Sequence, residues 1–127
     1  MSDKITGVTF LASAARTATE TSDGVKSDGF KGCWLALDIT AASTSVTLDV
    51  KLQQFEDLSG KWVDVPGAAF AQQTGTGTNG LTVYPGIAET ANVSVSDRIA
   101  PNVRAIGTLG GASTPTATYS LGGHWLD

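Results

Sequence analysis

Between Gly32 and Val65 apolar and polar residues alternate with the period of two that marks a half-buried strand. Over residues 33–40, Cys33, Leu35, Leu37 and Ile39 fall on one face, and Asp38 and Thr40 on the other. After a small-residue turn at 41–45, Val46, Leu48, Val50 and Leu52 share a face opposite Thr47, Asp49, Lys51 and Gln53. Residues 61–65 are the third strand. The three read as an antiparallel meander with one face on a core and one in water, and Leu35, Leu37, Ile39, Leu48, Val50 and Leu52 are the expected centre of that core. The segment Asp57-Leu58-Ser59-Gly60 has Asp where a type I turn opens and Gly where φ turns positive, so it predicts a four-residue hairpin loop. That loop sets Phe55 opposite Trp62, Gln54 opposite Val63, Gln53 opposite Asp64 and Leu52 opposite Val65, with Val63 and Val65 on the core face. Phe55 and Trp62 then lie together on the outer face, as a partner contact unless residues 20–32 cover them.

The rest of the chain is less regular. Residues 5–11 read as a strand, broken by Ala12-Ser13-Ala14-Ala15 and resumed over 16–19, where repeated threonines disfavour a helix. Residues 20–32 carry Gly, Ser and Asp without an apolar period and read as a mobile loop. Pro66-Gly67 ends the third strand, 68–72 adds a short one, and 74–80 is a loop. Residues 81–84 form a strand cut by Pro85-Gly86. Residues 87–102 stay open between helix, on Ala88, Glu89 and Ala91, and strand, on Val93, Val95 and Ile99. Residues 103–109 have two faces of mixed character, as a central strand covered on both sides does. Residues 116–126 return as the last strand, closing the domain with a hairpin. About eight short antiparallel strands with regular turn signals predict an all-β fold, a single β-sandwich of jelly-roll or immunoglobulin-like type over residues 1–127, with a flexible arm at 1–4.

At 127 residues and 13.0 kDa the chain builds a sufficient core without a disulfide or metal staple. A net charge of −4 and the lack of any Lys/Arg cluster argue against nucleic acid. No apolar run is long enough to cross a membrane as a helix, and the first residues lack the pattern of a secretory signal, so synthesis in the cytosol is expected. The lone Cys33 rules out an internal disulfide and reads as a small buried hydrophobe. His124, the single histidine, reads as a structural or surface imidazole. Asp38, Asp49 and Asp64 read as the wet side of successive strands, with Lys51 beside them. Asp23 and Asp28 are too few for a calcium loop, and the glycine-rich stretches 75–77 and 107–111 read as turns. The expectation is no catalytic residue, no cofactor, no metal and no enzyme activity. What remains is aromatic: Trp34, Trp62, Trp125, Phe55 and Tyr84, fit to stack on sugars or anchor a protein, with Trp34 and Trp125 expected in or over the core.

The run Val8-Thr9-Phe10-Leu11-Ala12-Ser13-Ala14-Ala15-Arg16-Thr17-Ala18-Thr19, then Gly29-Phe30-Lys31-Gly32 before a strand ending Leu37-Asp38-Ile39-Thr40, resembles a family of small tailed-bacteriophage virion proteins. Ser45-Val46-Thr47-Leu48, residues 53–62, Val83-Tyr84-Pro85-Gly86 and Tyr119-Ser120-Leu121-Gly122 follow in the same order, so the similarity spans nearly the whole chain. The resemblance implies a decoration or cement role: binding the major capsid protein on the outer surface of the virion and stabilising the shell, as a homo-oligomer with a trimer favoured over a dimer. It brings no catalytic residues. The alternatives are a tail or neck component, or a carbohydrate-binding module with aromatic rings aligned on one exposed face.

Overall fold

The computed structural model describes residues 5–127; the arm expected at 1–4 lies outside them. Ten strands follow in chain order: β1 (Ile5–Arg16), β2 (Glu20–Thr21), β3 (Val25–Lys26), β4 (Gly32–Ala42), β5 (Thr47–Glu56), β6 (Lys61–Ala69), β7 (Gly77–Val83), β8 (Ser94–Val95), β9 (Asn102–Gly110) and β10 (Ala117–Leu126). They form two sheets, β1-β10-β4-β7-β8 and β2-β9-β5-β6, with β3 also against β9. All pairings are antiparallel except that of β7 with β8. The chain is a β-sandwich, as its alternation predicts. It changes sheet after β1, β3, β4, β6, β8 and β9, which is the winding of a jelly roll rather than of an immunoglobulin domain.

That winding corrects two pairings read from the sequence. β4 and β5 are not neighbours in a meander, because residues 43–46 carry the chain from one sheet to the other; likewise β9 and β10 face each other across the core instead of closing a hairpin. Alternation records which side of a strand is buried, and two facing sheets bury the same side of their strands toward one core whether or not the strands pair. The core prediction survives for this reason. Leu35, Leu37, Ile39, Leu48, Val50 and Leu52 are all buried, joined by Leu81, Val83, Val103, Leu121, Trp125 and Tyr119. Tyr119 fits because β9 has Gly107 facing it, where a Cβ would overlap the phenol oxygen. Gly107 is therefore inside a strand, not in a turn.

Other boundaries differ as well. β1 runs through Ala12-Ser13-Ala14-Ala15 without a break, because bulges between Thr9 and Leu11 and between Leu11 and Ala14 absorb the irregular pattern. Segment 20–32 contains β2 and β3, and its Ser22 and Ser27 are buried; Ser22 Oγ accepts from the Ala105 N–H at 2.8 Å. β6 continues past Pro66-Gly67, which sit in a bulge where the register moves so that Lys51 pairs with Ala69; the expected pairing of Leu52 with Val65 is lost there. β7 begins at Gly77, four residues before the apolar signal at Leu81. Residues 87–102 form no helix and contribute β8 and, at Asn102, the first residue of β9.

Candidate functional site

The β5–β6 hairpin takes the predicted register, with Phe55 opposite Trp62, Gln54 opposite Val63 and Gln53 opposite Asp64. Its turn is held by one side chain. The Glu56 carboxylate accepts from the Leu58 N–H at 2.7 Å and the Ser59 N–H at 2.9 Å, while the Gly60 N–H donates to the Glu56 carbonyl and Gly60 takes φ +68°. The Leu58 bond first, then the Ser59 bond, hold the Glu56 carboxyl below its ordinary range. The result is a braced tip that presents Leu58, 98% exposed, with Val63 behind it at 42%. Val63 was expected in the core with Val65. It has the parity to face inward, but it lies at the end of the strand where the facing sheet no longer covers it.

Phe55 and Trp62 meet edge to face on the outer side of the second sheet, ring centres 5.4 Å apart at 66°. They are half-buried by their own chain. The Arg104 guanidinium carbon sits 4.6 Å from the Trp62 ring centre, and Gly24 of segment 20–32 lies so close that a Cβ there would be 3.0 Å from Trp62 Cη2. Arg104 Nε donates to Gln53 Oε1 at 2.9 Å, Gln53 Nε2 donates to Asp64 Oδ1 at 2.9 Å, and Lys51 Nζ reaches Asp64 Oδ2 at 3.0 Å. The Gln53 bond, then Lys51, keep the Asp64 carboxyl low. Segment 20–32 thus covers part of the patch that alternation leaves bare.

The outer face of the first sheet carries the aromatic side chain that the sequence reading misplaced. Trp34 is 41% exposed rather than packed in the core, whereas Trp125 is buried as expected and meets Phe10 edge to face at 6.0 Å. The signal was present: Trp34 shares parity with Asp38 and Thr40. His124, opposite it on β10, stacks with it at 6.2 Å and 17°. On the other side, on β7, Gly80 leaves room for the indole; a Cβ there would be 3.4 Å from Trp34 Nε1. From Trp34 an open groove of about 560 Å³ runs past Thr78, Gly80 and Thr82 to Asn92 and Val93, the latter 54% exposed.

The polar residues weighed for chemistry do not converge. Asp38 lies on the first sheet, where it accepts from Thr78 Oγ1 at 3.0 Å, while Asp49 and Asp64 lie on the second. Among the described residues no three metal-binding side chains cluster. Burial pushes the Cys33 thiol up to about 12, which suits a packing residue rather than a nucleophile.

No family model matches the chain, and no curated protein matches it. Two solved structures match the chain. A chain of the structure of infectious bursal disease virus, Gt strain, superposes with TM-score 0.51 at 14% identity over 98% of this chain and 33% of its own length. A chain of the Gx strain structure gives 0.46 at 13% identity, over 98% of this chain and 32% of its own. This chain spans about a third of the length of those it matches, and the likeness to the Gt strain chain is one of fold.

Proposed function

We propose that this chain is a structural protein of a tailed-phage virion, which decorates the outer surface of the head by binding the major capsid protein and stiffens the assembled shell. The observation that carries the reading is the braced β5–β6 tip. A fully exposed leucine on a turn held by three hydrogen bonds, two to the Glu56 carboxylate and one to its carbonyl, is a preorganised anchor for a protein pocket, since the backbone of the loop is ordered before binding. The uncovered edges of Phe55 and Trp62, on the outer face behind the tip, complete the contact. The jelly-roll fold, shared with the chain from the Gt strain virus structure, supports a shell role at the level of architecture. Several copies act together as a symmetric homo-oligomer, a trimer before a dimer.

The test is co-sedimentation with capsids assembled without the protein. Wild type should join them with little dependence on salt, and Leu58→Ser should bind at least tenfold more weakly with an unchanged melting temperature. Failure of the wild type to join, or equal binding by the variant, overturns the proposal.

A further inference from the structure

We infer that the groove beside Trp34 is a binding site for a neutral saccharide. A pyranose ring has an apolar C–H face and a rim of hydroxyls, so a site for it needs an exposed flat aromatic beside uncharged hydrogen-bonding groups. The groove supplies that combination. Trp34 is exposed at one end, and its ring is fixed from two sides, by the His124 stack and by its seat against Gly80. The walls carry Thr78, Thr82, Asn79 and Asn92 and not one ionisable side chain.

Those walls are ordered before any ligand arrives. Asn79 Nδ2 donates to Gln73 Oε1 at 2.9 Å, and Asn92 Nδ2 donates to the Ala69 carbonyl at 3.1 Å, so both amides are held in place. The volume, about 560 Å³, falls within the roughly 300–1,000 Å³ of small-ligand sites and leaves room for more than one sugar unit. No cation lines the groove, and the Asp38 carboxylate bonded to its Thr78 wall repels anions, so uronic acids and sulfated sugars would lose hydration without gaining a partner. Trp62, by contrast, is covered in part by Arg104 and by the Gly24 segment. The site is independent of the hairpin tip, and a virion protein with both would hold the shell at one place and a glycan at another.

The experiment is calorimetric titration with neutral gluco-, manno- and galacto-trisaccharides, an N-acetylglucosamine trimer, and a trigalacturonate control. Wild type should bind at least one neutral oligomer at millimolar concentration and the trigalacturonate more weakly. Trp34→Ala should lose at least tenfold in affinity with an unchanged melting temperature. Thr82→Ala, a smaller change on the same wall, should lose roughly twofold to tenfold, the worth of one neutral hydrogen bond. No binding by any neutral oligomer, tighter binding of trigalacturonate, or equal binding by Trp34→Ala overturns the inference. So does a Trp34 fluorescence shift that tracks protein concentration, which would mean that a second copy covers the groove.

Discussion

Glu56 shows how one side chain decides the conformation of a functional loop. Its carboxylate lies at the surface, so its two backbone bonds contribute through geometry at the turn rather than through burial. Ionised, it accepts from both N–H groups; protonated, it accepts less well and loses the charge that strengthens them. Its folded pKa lies below the unfolded value, so the brace is complete above the ordinary glutamate range and is lost as pH falls through the lower folded value. The amide signals of Leu58 and Ser59 should therefore titrate together, with a midpoint below the roughly 4.3 of an unperturbed glutamate, and should stop titrating in Glu56→Gln. Independent midpoints, or a midpoint at the unperturbed value, would show that the bonds do not hold in solution. The sequence shows the turn, through Asp57 and Gly60, but not the brace. A glutamate before a turn is common, and only folding shows which N–H groups it reaches.

At the scale of the element, the hairpin is the part of the chain best read in advance. Its register follows from local turn chemistry and a period of two, both of which are written within a dozen residues. What covers its outer face is not local. Gly24 and Arg104 come from segments some thirty residues before and forty after; the first has no apolar period, and Arg104 has the outward parity of β9, so neither is marked as a packing residue. Trp62 thus serves the fold as well as the proposed contact. Trp62→Ala should cost about 1–2 kcal/mol for the half-buried ring, a fall of several degrees in melting temperature, and should also weaken shell binding. An unchanged melting temperature would mean that segment 20–32 does not rest on the ring in solution. Trp34 is the converse case. Its parity is plain in the sequence, but the leucine-rich strand around it draws the eye to the core, and only the bare outer face of β4 separates a platform from packing.

At the scale of the whole molecule, the strand faces were legible and the strand partners were not. Local alternation cannot tell β4 beside β5 from β4 facing β5, since both bury Leu35, Leu37, Leu48 and Val50 in one core. The topology that resulted makes the two sheets mutually dependent. The first sheet takes β1, β4, β7, β8 and β10 from every part of the chain, and the second takes the strands between them, so neither sheet is a contiguous piece that can fold alone. Unfolding should therefore be a single transition, and the three tryptophans report on it from separate places: Trp34 outside the first sheet, Trp62 outside the second, Trp125 in the core. Three variants, each keeping one tryptophan and replacing the other two by phenylalanine, should each give the same denaturant midpoint by fluorescence as by far-ultraviolet circular dichroism of that same variant. A Trp62 signal that changes at lower denaturant than the dichroism would show that the second sheet loosens while the first persists, and the interlocked winding would then not be what holds the sandwich together.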